Sequence, residues 1–401
     1  MCNNALDREC SNAYVMAPHE AVPGRRAEGV TIPEFRIAVF PGDGIGHEVM
    51  APCVELLRAT MARVGGFGLD FTFFEAGADL YRRTGEALPA AAMQGAETAD
   101  AILLGAMGLP DVRYPDGTEV APHLDFRDRF ELYAGVRPIR VLAGLPTPLA
   151  DARASRIDCV LIRESTEGLF ASRKMSRREG PDVVLDTLRV SRPITERLCE
   201  FAFRLARQRR AAGSAGRVTC VDKANVLPSM AFFRSIFFEV AARHPDISAD
   251  CMYVDATALR LVRAPWEFDV MVTENMFGDI LSDLGAALMG GMGMAPSADV
   301  GDRQAVFQPC HGTAPDIAGR GLANPTAMFL SAALMLDWLG DRHAVKACKV
   351  AARELTQAVE RAYRGGTLLP IEFGGTADTR AVFDRVHDEL TRHPVPAHLS
   401  A

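Results

Sequence analysis

Seven short apolar runs, interleaved with stretches of helical period, constrain this chain more than any other feature. Phe35-Arg36-Ile37-Ala38-Val39-Phe40 runs into Pro41-Gly42-Asp43-Gly44-Ile45-Gly46, and a helix follows with apolar residues from Val49 through Leu57. Leu69–Phe74 and Ala101-Ile102-Leu103-Leu104-Gly105 predict the next two strands. Cys159–Arg163, Arg217–Asp222, Cys251–Asp255 and Phe268–Thr273 predict four more. Helical periods recur at Pro193–Gln208, Pro228–His244, Asp279–Met289 and Asn324–Leu339. Strands alternating with helices mean an α/β fold. The last four strands end in charged or polar residues, as expected where a site sits at the carboxyl ends of strands.

At 401 residues the chain is long enough for two domains. A formal net charge of −7 argues against a nucleic-acid binder, which needs a basic face. It leaves anionic small substrates open, because a local arginine cluster overrides a mildly acidic total. The nine cysteines are scattered, with no CxxC pair, so neither a disulfide framework nor a zinc site is expected. Reduced thiols of a cytoplasmic protein are the simpler reading. No run reaches the roughly 20 apolar residues of a membrane span. The first 33 residues carry Asp7, Arg8 and Glu9 ahead of any apolar run, and read as a disordered extension, not a signal peptide.

Chemistry concentrates in a few segments. Asp279 and Asp283 stand four apart in Glu274-Asn275-Met276-Phe277-Gly278-Asp279-Ile280-Leu281-Ser282-Asp283, which puts them on one helix face. Two like charges there repel unless something positive lies between them, and a hard divalent cation with oxygen ligands is the natural answer. Two solvated carboxylates on an exposed face fit the spacing equally well. Lys223 and Asp255 each follow a strand, and either alone reads as a strand-end surface charge. Together with the aspartate pair they supply three metal carboxylates and one base, since a lysine beside a cation gives up its proton more readily. Arg127, Arg137 and Arg163 offer the planar paired donors that suit carboxylates, although 44 basic residues make any such choice weak by itself. The glycines of Pro41–Gly46 do not follow G-x-G-x-x-G, so the dinucleotide fingerprint fails there. His311-Gly312-Thr313-Ala314-Pro315-Asp316, followed by Gly321-Leu322-Ala323-Asn324-Pro325, reads locally as a turn before a helix.

From about Phe35 to about Leu390 the sequence resembles the isocitrate/3-isopropylmalate dehydrogenase family of β-decarboxylating dehydrogenases. The resemblance rests on PGDGIG, LLGA, IRESTEG, VDKANVL, MYVDA, TENMFGDILSDLGA and HGTAPDIAGRGLANP, in that order. It implies a two-domain isocitrate/isopropylmalate dehydrogenase-like α/β fold in place of an ordinary Rossmann domain. Residues 34–132 and 290–401 would form a discontinuous cofactor-binding domain, and 133–289 a substrate, metal and dimerisation domain. The active site would lie between the domains and be completed by a second subunit of a homodimer. Arg127, Arg137 and Arg163 are then the clamps on the substrate carboxylates. Asp279 and Asp283 hold Mg²⁺ or Mn²⁺, with Asp255 and the base Lys223 coming from the neighbour. Ile45, His311, Gly312, Thr313, Ala314, Asp316 and Asn324 form the cofactor side. Asp316 would bond both ribose hydroxyls and repel a 2′-phosphate, which favours NAD over NADP.

Two positions depart from the family pattern. Phe170 stands where a tyrosine usually protonates the enol after decarboxylation, and phenylalanine has no proton to donate. Gln308 stands three before His311, where glutamate is usual. The segment before the first clamp, Val120-Ala121-Pro122-His123-Leu124, sets the substrate; His123 and Leu124 are its candidate contacts. The expected reaction is oxidative decarboxylation of a (2R)-2-hydroxy dicarboxylate of the D-malate or tartrate type. The alternatives are a 3-isopropylmalate dehydrogenase and, from another class, a catalytically weak regulatory or binding homologue.

Overall fold

The computed structural model describes residues 24–27, 30–174 and 176–393, so most of the expected N-terminal extension lies outside the described residues. In chain order the strands are β1 (Gly24–Ala27), β2 (Val30–Gly42), β3 (Gly68–Phe73), β4 (Ala101–Ala106), β5 (Ala134–Arg140), β6 (Asp158–Glu164), β7 (Arg177–Glu179), β8 (Val183–Leu185), β9 (Arg217–Asp222), β10 (Ser248–Tyr253), β11 (Val270–Thr273), β12 (Pro296–Val300) and β13 (Ala305–Pro309). Among the described residues eleven of these build one sheet in the order β1-β2-β4-β13-β12-β5-β6-β11-β9-β10, with β3 also on β2, and β7 and β8 pair as a separate ribbon. β1 pairs antiparallel with the start of β2, so residues 24–33 include a short ribbon where a structureless extension was expected.

Both flanks of the sheet are parallel. β3, β2, β4 and β13 run together on one side, and β6, β11, β9 and β10 on the other. Between them β13, β12, β5 and β6 alternate in direction. The flanking strands nearest the centre are covered on both faces, which is why they read as unbroken apolar runs: every residue of β4 and of β11 is buried. The antiparallel centre carries the polar residues. Arg137 on β5, Arg163 on β6, Asp299 on β12 and Gln308 on β13 all come from it.

Helices flank the sheet. Arg192–Ala211 turns one face inward through Leu198, Phe201, Ala202 and Leu205, as its amphipathic period predicts. Thr326–His343 is buried on nearly all sides, including Trp338, because it packs against β12 and β13 and is covered by the helix Lys346–Arg364. That covering helix and Thr379–Arg392 were not read from the sequence. Their Lys, Arg and Glu residues mask apolar stripes such as Cys348-Ala351-Leu355-Ala358-Ala362, which follow the i, i+3, i+4, i+7 period. One expectation is corrected locally. Asp255 does not end a strand; β10 stops at Tyr253, and Asp255 lies in the first turn of the helix Val254–Arg263. Among the described residues all cysteines are free, and no helix is long and apolar enough to cross a membrane.

Candidate active site

A cleft of about 320 Å³ opens where the antiparallel centre of the sheet meets the helix Asn275–Met289, and Arg127, Arg137, Arg163, His123, Leu124, Phe170, Asp279 and Asp283 all line it. The three arginines come from three elements: Arg127 from the helix His123–Arg129, Arg137 from β5 and Arg163 from β6. All three are buried. Burying a guanidinium is costly unless it is paired and hydrogen-bonded, and each one is.

Asp299 anchors two of them. Its Oδ2 accepts from Arg127 Nε at 3.1 Å and lies 3.0 Å from Arg127 Nη2, and its Oδ1 accepts from Arg137 Nη2 at 3.0 Å. Gln308 Nε2 donates to the same Oδ2 at 3.0 Å, which a glutamate there could not do when ionised. Arg137 Nη1 donates to the carbonyls of Val136 and Ala298. Burial works against the Asp299 carboxylate, yet Arg127, Arg137 and Arg163 together hold it far below the ordinary carboxylate range.

Asn275 anchors the third. Its Oδ1 accepts from Arg163 Nε at 3.0 Å and Nη2 at 2.7 Å, while its Nδ2 donates to the carbonyl of Glu167 at 3.0 Å. Arg163 Nη1 pairs with Asp279, and the ring of Phe170 lies 5.3 Å from its guanidinium carbon. Burial, then the like charge of Arg127, lowers the Arg163 pKa to about 10. The turn beyond Arg163 is tied by Glu164, whose carboxylate accepts from Thr166 N (2.6 Å), Thr166 Oγ1 (2.6 Å) and Glu167 N (2.8 Å). Asp299 and Asn275 hold the cleft arginines, and the sequence reading did not single them out. Asn275 was visible inside a quoted motif; Asp299 has only the polar break it makes in an apolar strand.

Asp279 and Asp283 sit one turn apart on the same helix and face this cluster. Burial, then the charge of Asp279, raises the Asp283 pKa. That strain between two hard oxygen donors is what a divalent cation relieves, so the pair fits Mg²⁺ or Mn²⁺. Among the described residues no group of three His, Cys, Asp or Glu side chains could close a metal site within one chain. Lys223 and Asp255 do not line the cleft. They pair with each other at 2.6 Å on another part of the surface, and the Lys223 partner holds the Asp255 pKa down.

The cofactor-side residues fall in two groups. His311 and Gly312 line the cleft. His311 Nδ1 contacts the carbonyl of Gly312 at 2.9 Å, its Nε2 has no partner among the described residues, and burial lowers its pKa. Thr313 donates to the carbonyl of Gly108 at 2.6 Å, and Ile45 N donates to the carbonyl of Thr313 at 2.9 Å, which docks this loop on the Pro41–Gly46 turn. Gly42 and Gly44 have positive φ, and a Cβ on them would meet Ala106 O at 1.8 Å and Thr313 O at 2.2 Å. Asp43, fully buried, accepts from the backbone N–H of Ala78, Asp79 and Gly108. Those glycines therefore serve the close approach of backbone segments within the chain, which explains why they do not follow the pyrophosphate fingerprint. Ala314 holds a positive φ of 37° and Asp316 is exposed. Asn324 is buried, with its Nδ2 donating to Glu372 at 2.6 Å and its Oδ1 accepting from Thr326 N and Oγ1.

The sequence profile described as isocitrate/isopropylmalate dehydrogenase matches residues 36–386. The chain belongs to the isocitrate/isopropylmalate dehydrogenase family. It is 40% identical over 356 residues to a 3-isopropylmalate/3-methylmalate dehydrogenase of Methanocaldococcus jannaschii, covering 88% of this chain and 97% of that protein. It is 37% identical over 364 residues to a probable tartrate dehydrogenase/decarboxylase of Agrobacterium vitis, covering 89% and 96%. Among solved structures, the isocitrate dehydrogenase of Methylococcus capsulatus superposes with a TM-score of 0.78 at 32% identity, covering 89% of this chain and 99% of that one. The chain is thus an oxidoreductase acting on a CH–OH group, of a decarboxylating family that uses NAD(P) and a divalent metal.

Proposed function

We propose that this protein oxidises and decarboxylates a (2R)-2-hydroxy dicarboxylate of the D-malate or tartrate type, with NAD and Mg²⁺ or Mn²⁺. One observation carries the reading: three buried, pre-anchored guanidiniums converge with two metal-competent aspartates in a single small cleft. Arg127, Arg137 and Arg163 bind the two carboxylates and fix the orientation of C2, since their partners Asp299 and Asn275 already hold the guanidinium planes. Asp279 and Asp283 would hold the cation. When bound, a divalent cation stabilises charge at the C2 oxygen and the nicotinamide accepts the hydride. Lys223 of a second subunit would take the proton from the C2 hydroxyl, with Asp255 beside it as a third metal ligand.

The subunit contact is supported by exposed apolar side chains next to that pair. Leu259 and Val262 on the helix Val254–Arg263, Ile280 on Asn275–Met289 and Val226 beside Lys223 are all about half exposed or more. Exposed apolar residues grouped on neighbouring helices mark an interaction surface. The cofactor assignment rests on Asp316, whose exposed carboxylate would repel a 2′-phosphate. A second reading, 3-isopropylmalate as substrate, is favoured by Leu124 in the cleft wall. Val120, weighed with it from the sequence, is fully buried in a separate cluster with Leu109 and Val112 and is not available to a ligand.

The test is a panel of 2-hydroxy dicarboxylates assayed for NADH with Mn²⁺, then with excess chelator, and with NADP replacing NAD. D-malate or tartrate should lead, chelation should abolish turnover, and kcat/KM should favour NAD by at least about 100-fold. Turnover undiminished by chelator, or no turnover with any member, refutes the proposal.

A further inference from the structure

We propose that His123 is the acid that protonates C3 after CO₂ departs, in place of the phenol that Phe170 lacks. The inference rests on the reaction proposed above and names a residue for its last step. His123 and Phe170 line the same cleft of about 320 Å³, the size of one small ligand, so both meet whatever acid fills it. His123 opens the helix His123–Arg129 and stands four residues before Arg127, which puts the imidazole and a carboxylate clamp on one helix face. That helix is held in place. Phe126 is fully buried with its ring centroid 5.0 Å from that of Phe40, and Arg127 Nε donates to Asp299 at 3.1 Å. The His123 side chain is only half-buried, so a proton given to the ligand can be replaced from solvent.

The other proton carriers on the cleft wall are committed elsewhere. Ser297 Oγ donates to the Gln308 carbonyl and Ser282 Oγ to the Asp279 carbonyl, each at 2.8 Å. Gln308 Nε2 donates to Asp299. Cys310 Sγ donates to the Pro296 carbonyl at 3.6 Å, and burial raises its pKa. His311 contacts the Gly312 carbonyl, and burial disfavours its imidazolium. The three guanidiniums keep their protons. Asp279 and Asp283 are the metal pair, and Lys223 of a second subunit serves the C2 oxygen. An imidazole, by contrast, both gives and regains a proton near neutral pH. The step balances. Loss of CO₂ leaves its bonding pair as the C2–C3 double bond of an enolate. That pair takes the proton of the His123 imidazolium: an N–H bond breaks, a C3–H bond forms, the C2 carbonyl returns and the imidazole is left neutral. Water then restores its proton. Run backwards, the same step removes a C3 hydrogen from a 2-oxo acid and needs no NAD.

That reverse step is the test. Pyruvate in D₂O with Mg²⁺ and the full chain, without NAD, should exchange its methyl hydrogens for deuterium, followed by NMR. His123→Gln keeps a polar side chain but carries no such proton, so exchange should fall at least about 100-fold, the lower end of what general acid catalysis contributes. Oxalate, a flat dianion shaped like the enolate, should bind His123→Gln with a Kd within about threefold of wild type by calorimetry. Returning a phenol to the same chain, as His123→Gln with Phe170→Tyr, should restore about a tenth or more of the exchange. No exchange by wild-type protein overturns the proposal, a result that needs no variant to fold, as does exchange by His123→Gln within about threefold of wild type. An equal loss of oxalate affinity also overturns it, because His123 then only binds, and so does a double variant no faster than His123→Gln. NADH formation from the hydroxy acids keeps the two readings apart. Turnover without pyruvate exchange strikes the donor alone, and exchange without turnover of any hydroxy acid strikes the proposed reaction alone.

Discussion

Replacing Asn275 with alanine should cripple substrate capture while leaving the fold intact. Asn275 Oδ1 caps the Nε edge of Arg163, accepting at 3.0 and 2.7 Å, and its Nδ2 is itself held by the Glu167 carbonyl. Removing it leaves a guanidinium that is 4% exposed without its neutral anchor, and with Asp279 as its nearest anion. Hydrogen bonds to charged groups contribute roughly 1.5–3 kcal/mol each, and an orphaned buried donor forfeits a similar amount. Two such bonds that only partly re-form to water put the loss at about 2–4 kcal/mol. Arg163 would then turn further towards Asp279, away from a substrate carboxylate. Converted at 1.36 kcal/mol per decade, kcat/KM should fall about 30- to 1,000-fold, with KM carrying most of it because the contact exists before the chemical step. Asn275→Asp is the control. It restores the oxygen that accepts both Arg163 bonds but loses the donor to the Glu167 carbonyl and adds an anion that competes for Arg163, so KM should stay raised. Steady-state kinetics on the best dicarboxylate, with urea unfolding of each variant, decides the matter. If Asn275→Ala keeps kcat/KM within threefold of wild type, Arg163 is oriented by something else and the anchoring argument fails.

Phe170→Tyr should raise the decarboxylated keto acid formed per NADH if the missing phenol limits protonation of the enol; general acids typically contribute 10²- to 10⁴-fold, and a wild-type ratio already at one would show that the replacement is neutral. Inactive Lys223→Ala and inactive Arg127→Ala chains, mixed and shown to form heterodimers, should recover part of the activity, because one of the two shared sites is then whole. No recovery would place each site within one chain. Asp337 has a pH consequence. Burial, outweighing its 2.6 Å Lys349 partner, raises its pKa to about 7, and its Oδ2 has no hydrogen-bond partner among the described residues. A raised folded pKa means that its contribution to stability is full below the unfolded value and lost as pH rises through about 7. Asp337→Asn should therefore flatten the decline in stability between about pH 4 and 7, measured by urea unfolding, and an unchanged slope would count against this assignment.

Sequence alone carried the α/β class because the parallel flanks are buried on both faces, and such strands cannot be anything but apolar runs. Its motifs also named residues that line the cleft, among them Asp279 and Asp283, which the helical period places one turn apart on the same face. The antiparallel centre escaped because it buries polar side chains. β5, β12 and β13 place Arg137, Asp299 and Gln308 inside the sheet, and a buried charge reads in a sequence as a loop or a surface. Nothing in Pro296–Val300 announces that its aspartate is 1% exposed, because its partners Arg127 and Arg137 lie more than 160 residues away. The cost of burying Asp299 is met only when those two arginines arrive, and the cost of burying the arginines only when Asp299 does. Each is unreadable singly and necessary jointly. That interdependence is also why the cleft can be ready for anions before one arrives: the guanidiniums are held by internal anions and amides, so substrate binding does not first have to order three flexible side chains.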